Sequence, residues 1–196
     1  MATAKLSKQY TLAEYLNCAD IAADKNYELE NGVLREMPPE SWQNLQIALY
    51  LIVEIAKVVP RTQIVKGAEI IIPGSRVNAR ILDLMVLSLE GAAEISQFKR
   101  STITLDMPPP ILVVEVVSPG KANRDRDYRY KRSEYAARGI DNYWIIDPQE
   151  GKFVCLQLEN GLYEEITYNA SETGIMFETP FALEVDFSQI FASLEN

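Results

Sequence analysis

Histidine is absent from this chain of 196 residues. That excludes Ser-His-Asp and Cys-His catalysis, histidine zinc sites and a histidine general base. Any chemistry must rest on carboxylates, Lys, Arg, Tyr or a metal. Cysteine is nearly absent too. Cys18 and Cys155 stand far apart, without the spacing of a disulfide framework or a zinc site, so a reducing compartment is the default and the chain reads as cytoplasmic. Positive charge is scarce: 19 Lys and Arg face 28 Asp and Glu, a net charge of −9. A protein that coats nucleic acid nonspecifically is usually basic, so any nucleic-acid contact here must be local. No long hydrophobic run occurs. The most apolar stretch, "LQIALYLIVEIAKVV" (45 to 59), is too short for a span and carries Gln46, Glu54 and Lys57. "MATAKLSKQY" lacks the apolar core of a signal peptide, and no membrane contact is expected.

What is present is an ordinary globular composition, 47% apolar and 24% charged, enough for one domain over residues 1–196. Thr11 and Glu14 have capping-box spacing, which predicts a helix over 11 to 22. Asn31-Gly32 predicts a two-residue hairpin within 27 to 37. Residues 40 to 59 read as a long helix, with Trp42, Leu45, Leu49, Ile52, Val53 and Ala56 at helical spacing on one apolar face. Strands are predicted over 62 to 74, 79 to 88 and 111 to 117, with a polar segment before the third. A helix follows over 123 to 138, stopped by Gly139, and then a strand over 142 to 148. The remainder reads as antiparallel strands and a short tail helix. This order predicts an α/β (α+β) fold, a mixed central sheet flanked by helices. The strands at 79 to 88 and 111 to 117 are apolar on both faces, so they should be central.

Two acids break these apolar strands. Glu115 interrupts "ILVVEVVSPG" (111 to 120), and Asp83 interrupts "RILDLMVL" (80 to 87). An unpaired buried carboxylate costs several kcal/mol or more, so each must meet a cation or a proton. Alternation puts Asp83 on a face with Ile81 and Met85, and Glu115 with Val113 and Val117. In adjacent strands the two acids would converge, and a magnesium ion between them would offset their repulsion. A buried Arg or Lys would serve each acid equally well. Directly after the Glu115 strand comes "KANRDRDYRYKR" (121 to 132), the one strongly basic stretch, with six basic residues and two acids. Asp127 and Lys131 are four apart, on one helical face. Lys131 could point back to the sheet while Arg124, Arg126, Arg129 and Arg132 meet phosphates. A solvated helix face is the other reading.

The segments "YELENGVLREMPPES", "LDLMVLS", "LVVEVVSP", "RDYRYKRSEYAARGI" and "YWIIDP" together resemble the Uma-type family of restriction-endonuclease-like proteins. That family was formerly catalogued as a domain of unknown function and lies within the PD-(D/E)xK nuclease superfamily. The resemblance covers about residues 10 to 192. It implies a restriction-endonuclease-like fold and a metal-dependent endonuclease that hydrolyses DNA phosphodiesters with Mg2+, Mn2+ being able to substitute. Asp83 matches the aspartate of the "PD" element and Glu115 the acid of the "(D/E)xK" element, which makes them the implied metal ligands. The chain departs from the pattern in three places. Leu82 replaces the proline. Val117 replaces the lysine, whose role passes to Lys131 on the following helix. Trp42-Gln43-Asn44 stands where relatives often carry a histidine. Glu28 matches a glutamate common in the family and is a candidate outer metal or water ligand. Glu69 and Asp147 are weaker candidates, and Asp147 before Pro148 reads as an Asx-type turn. DNA and a second copy of the chain are the expected partners. Two other readings stay open: a catalytically weak nuclease-fold protein that acts as a DNA-associated or protein-interaction module, and a phosphoesterase acting on a small nucleotide.

Overall fold

The computed structural model describes residues 8–18, 26–98, 100–178 and 180–192. Helix α1 (Leu12–Leu16) opens on the expected capping box, in which Thr11 and Glu14 each accept from the other's backbone N–H. It ends at Leu16, and residues 19 to 22 of the expected helix lie outside the described residues. Strands β1 (Tyr27–Glu30) and β2 (Val33–Glu36) form the expected hairpin. Its turn residues Asn31 and Gly32 take φ of 51° and 79°, the left-handed pair such a turn requires. Helix α2 (Trp42–Ile55) is capped by Ser41. Then follow β3 (Ile64–Val65), β4 (Glu69–Ile72), β5 (Asn78–Ile81), β6 (Leu84–Val86), α3 (Leu89–Ile95), β7 (Thr102–Ile103) and β8 (Leu112–Val116). Helix α3, capped by Ser88, occupies part of the segment read from sequence only as polar. Next come α4 (Lys121–Asp125), a π-helical segment (Arg126–Lys131) and α5 (Arg132–Arg138), one continuous helical run. The chain closes with β9 (Asn142–Asp147), β10 (Lys152–Glu159), β11 (Leu162–Asn169), β12 (Ile175–Phe177), β13 (Leu183–Val185) and α6 (Phe187–Ala192).

The fold is mixed α/β, with mixed sheets flanked by helices. A six-stranded sheet runs β11-β10-β9-β8-β6-β3, a five-stranded sheet runs β2-β1-β5-β4-β7, and β12 pairs with β13. The β8–β9 and β4–β7 pairs are parallel and the others antiparallel. Strands β8 and β9 are buried along their whole length, as their unbroken apolar runs require.

The strands expected at 62 to 74 and 79 to 88 each divide between the two sheets. They form one bent antiparallel hairpin. Ile64 pairs with Val86 in the six-stranded sheet, and Glu69 pairs with Ile81 in the five-stranded sheet, in an unbroken register. At the bend Gly67 donates to the Leu82 carbonyl (3.0 Å), and Leu82 donates to the Ala68 carbonyl (2.9 Å). Gly67 holds φ at +66°, which a glycine adopts without strain. Asp83 therefore sits at the corner between the sheets rather than mid-strand.

The six-stranded sheet carries core on both faces. On one, Leu84, Val86, Leu112, Val114 and Val116 pack on Ile47, Leu51 and Ile55 of α2 and on Phe187 and Ile190 of α6. On the other, Met85, Val113, Val117, Tyr143 and Ile145 pack on Tyr135 of α5 and on Ile70 and Ile72 of β4. Helix α2 buries a different stripe from the one expected. Ile47, Ala48, Leu51 and Ile55 face inward, while Trp42, Leu49 and Val53 are exposed. The helix is apolar nearly all round, so two stripes satisfy the same spacing. A polar tie holds the observed one: Asn44 donates to the Val116 carbonyl (3.1 Å) and to Ser118 Oγ (3.3 Å). No helix among the described residues is long and apolar enough to cross a membrane.

Candidate active site

Strands β6 and β8 pair Leu84 with Val114. One step further along lie Asp83 on one strand and Glu115 on the other, so the two acids fall at the same level of the sheet. Asp83 Oδ2 accepts from the Val116 N–H at 2.7 Å, which anchors the corner residue to β8. Its other oxygen has no hydrogen-bond partner among the described residues. Glu115 points into the core face that holds Val113 and Val117. There Oε1 accepts from Tyr135 Oη (2.6 Å), and Oε2 meets Lys131 Nζ (2.9 Å). Lys131 also lies 3.3 Å from Asp127 Oδ1. Both residues belong to the π-helical segment, a local widening common at functional sites. Tyr143 Oη fixes that segment by donating to the Asp127 carbonyl (3.0 Å).

Two carboxylates, those of Glu115 and Asp127, thus meet one buried ammonium, and Asp83 interacts with it at longer range. Burial pushes the Asp83 pKa up to about 6; Lys131 and the Val116 N–H oppose the shift, while Glu40 and Asp127 add to it. Burial raises Glu115 well above the usual carboxylate range, reinforced by Asp83 and Asp127 and opposed by Lys131 and Tyr135. Burial would lower Lys131, but Glu115, Asp127 and Glu28 outweigh it, so its pKa lies above the ordinary lysine value. The cluster holds more negative than positive charge, and a further cation would relieve it.

Glu28 adjoins this cluster. Its Oε1 accepts from the Ile81 N–H (3.2 Å) and its Oε2 pairs with Arg80 (3.0 Å), which also grips Glu134. Burial opposes its ionisation, but Lys131, Arg80 and Arg126 outweigh burial and hold its pKa low. The four arginines of the basic stretch diverge. Arg126 pairs with Asp127 at 3.3 Å and is partly buried beside Glu28. Arg124 reaches Asp147 (3.3 Å) and Glu150 (2.9 Å), and Arg129 lies exposed, 3.6 Å from Asp125. Arg132 turns toward β11, to Glu165 (2.5 Å) and the Tyr163 carbonyl (3.0 Å). Asp147 accepts from the Glu150 N–H (3.1 Å), an Asx-type turn. Glu69 lies apart from the cluster and ties α1 to β7, accepting from Tyr15, Arg100 and Thr102.

The family model described as "Putative restriction endonuclease", Uma2, matches residues 12–188. The chain belongs to this family. A solved structure, described as a "putative nuclease belonging to DUF820 from Anabaena variabilis ATCC 29413", is similar with a TM-score of 0.67 at 16% identity. The match covers 93% of this chain and 98% of that one. That likeness extends to the fold. No curated protein matches the chain.

In this Uma2 family member, Asp83, Glu115, Lys131 and Glu28 line one cavity of about 190 Å3. Of the four arginines only Arg126 lines it. Among the other lining residues, Glu40, Asn44 and Lys66 were not candidates from sequence, whereas Asn123 lies in the basic segment expected to hold the DNA backbone. Glu40 pairs with Lys66 at 2.8 Å, and its other oxygen is buried without a hydrogen-bond partner among the described residues. Tyr135, which holds Glu115, was also missed. Its spacing of four from Lys131 along a helix was the available signal. Among the described residues no three of Asp, Glu, His and Cys are grouped so as to cage an ion. Asp83, with one carboxylate oxygen free of partners among the described residues, offers the kind of hard oxygen donor that suits a cation such as Mg2+, which takes one or two carboxylates and completes its shell with water and phosphate oxygens. The donor set does not fit a structural zinc, which needs a closed set of nitrogen and sulfur ligands.

Proposed function

We propose that the chain is a Mg2+-dependent endonuclease hydrolysing DNA phosphodiester bonds, with Mn2+ as an alternative ion. One observation carries this reading: Asp83, with a carboxylate oxygen free of partners among the described residues, shares a cavity with Glu115 and a buried Lys131. Asp83 and Glu115 would hold the ion, which would supply a water of lowered pKa and offset charge gathering on the phosphate. The remaining work falls to the chain. Lys131, kept protonated by its acids, serves as a donor rather than a base. It orients the attacking water and stabilises the developing negative charge. Tyr135 fixes Glu115, and Asp127 fixes Lys131. Glu28, held by the Ile81 N–H and Arg80 at the edge of the cluster, acts through its charge on Lys131 and Arg126. Arg126 meets the phosphate next to the cavity, and Arg124 and Arg129 meet flanking ones. Arg132, turned toward β11 and held there by both Glu165 and the Tyr163 carbonyl, stays out of this set. We further propose a homodimer, because cutting both strands suits two such sites.

A second reading has its own support. Both oxygens of Glu115 are already satisfied, by Tyr135 and Lys131, as in a structural ion pair. On that reading the chain is a catalytically weak nuclease-fold module that binds DNA or protein. Nicking of supercoiled plasmid in Mg2+, and its loss in Asp83→Asn, separates the two. Metal-dependent nicking by the wild type that the variant lacks supports the enzyme. Absence of nicking together with absence of Mg2+ and Mn2+ binding by calorimetry supports the module.

A further inference from the structure

A second groove of about 420 Å3 opens beside the acidic cavity and shares Glu28, Met37, Asn123 and Arg126 with it. Its distinctive lining is Tyr130, on the π-helical segment, and Arg35, on β2. Tyr130 is 57% exposed, and its ring has no aromatic or cationic partner among the described residues. Asn123 donates its amide to the Pro119 carbonyl (2.7 Å), which leaves its side-chain oxygen as an acceptor. The three acids at the groove are offset: Glu28 pairs with Arg80 (3.0 Å), Glu30 lies 3.3 Å from Arg35, and Asp125 lies 3.6 Å from Arg129.

We infer that this groove is a nucleobase subsite, taking an unpaired nucleotide next to the phosphate in the acidic cavity. The inference rests on the endonuclease reading and names its substrate class: single-stranded or locally unpaired DNA. The chemistry is complementary on each count. An exposed tyrosine ring offers a stacking face, which every base can use. Asn123 offers a hydrogen-bond acceptor at the boundary of the two spaces. Arg35 and Arg126 offer charge to the phosphates on either side. Continuity supplies the argument against a paired base. A base is one sugar away from its phosphate, and inside a duplex it is stacked toward the helix axis, away from any protein bound at the backbone. A groove contiguous with the phosphate position receives a base only when that base leaves the stack.

The test compares a single-stranded oligonucleotide with a hairpin duplex of the same composition. Both carry 2-aminopurine and are titrated at low salt with Ca2+ replacing Mg2+. The wild type should bind the single strand more tightly and change the 2-aminopurine fluorescence. Tyr130→Ala should weaken single-strand binding roughly ten- to a hundredfold, the scale of one lost base stack. It should leave duplex binding nearly unchanged, and Tyr130→Phe should bind like the wild type. An equal effect of Tyr130→Ala on both substrates, or none on either, overturns the subsite alone, because metal-dependent nicking and its loss in Asp83→Asn stand separately. Failure of the wild type to bind either oligonucleotide overturns both the subsite and the DNA nuclease.

Discussion

Lys131 Nζ lies 2.9 Å from Glu115 Oε2, and each side chain is 3% exposed. The two residues are on different elements, the π-helical segment and β8, so the pair fastens the helical run to the sheet at the candidate site. Val117, two residues after Glu115 on the same face, is buried in the core, and Lys131 reaches the Glu115 carboxylate from the following helical run.

Removing this lysine should therefore affect stability as well as rate. Lys131→Ala leaves Glu115 and Asp127 without their cation. Breaking one partner from a buried pair costs about 3–5 kcal/mol. The loss should be larger at pH 9 than at pH 5, because at low pH Glu115 can take up a proton instead. Urea denaturation at the two pH values checks this. At a temperature where the variant stays folded, it should keep metal binding but cleave ~10²-fold more slowly or worse. Cleavage at the wild-type rate would remove Lys131 from the mechanism.

Asp83 gives the opposite sign. Its folded pKa of about 6 lies above the unfolded value of about 3.9. The folded state therefore holds the proton more tightly, so the stability linked to it is complete below pH 4 and is lost as pH rises through about 6. The loss is roughly 2 kcal/mol, since the side chain keeps some solvent contact. In metal-free buffer Asp83→Asn should match the wild type near pH 4 and exceed it near pH 7 by this margin. A parallel pH dependence of the two proteins would mean that Asp83 is stably paired in the folded state.

Metal binding should reverse that ranking. Added Mg2+ or Mn2+ stabilises only the form that binds it, so the wild type should gain melting temperature with metal concentration while Asp83→Asn should not. The gain should grow between pH 5 and pH 8, as bound protons cease to compete with the ion. A pH-independent gain, or an equal gain in the variant, would place the ion elsewhere.

The arginines should separate into two classes. Replacing Arg124, Arg126 and Arg129 with Gln should lower the log–log salt slope of duplex binding by roughly 0.9 for each phosphate that is no longer neutralised. Arg132→Gln should leave the slope unchanged and cost a little stability, because its partners are Glu165 and the Tyr163 carbonyl. An equal effect of all four would show that Arg132 leaves β11 when DNA binds.

The residue pattern by itself determined a good deal. The Asn31-Gly32 turn, the Thr11–Glu14 capping box and the buried runs of β8 and β9 follow from local conformational preference and apolar spacing, which act over a few residues. Asp83, Glu115 and Lys131 were legible because a charge inside an apolar run, or a basic stretch in an acidic chain, needs a physical reason. Other features were decided only in three dimensions. Helix α2 had two equivalent apolar stripes, and packing against β8 together with the Asn44 bonds chose between them. The bend at Gly67 and Asp83 left no mark in the strand pattern, because both sheets bury apolar residues on either side of it. The basic helix read either as a phosphate-facing surface or as a solvated face. Its arginines diverge because side chains around a helix point in all directions, and Asp147, Asp127, Asp125 and Glu165 each capture one of them. Glu40, Lys66 and Tyr135 carry no anomaly of their own in sequence, and they reached the candidate site only when elements distant along the chain were packed around it.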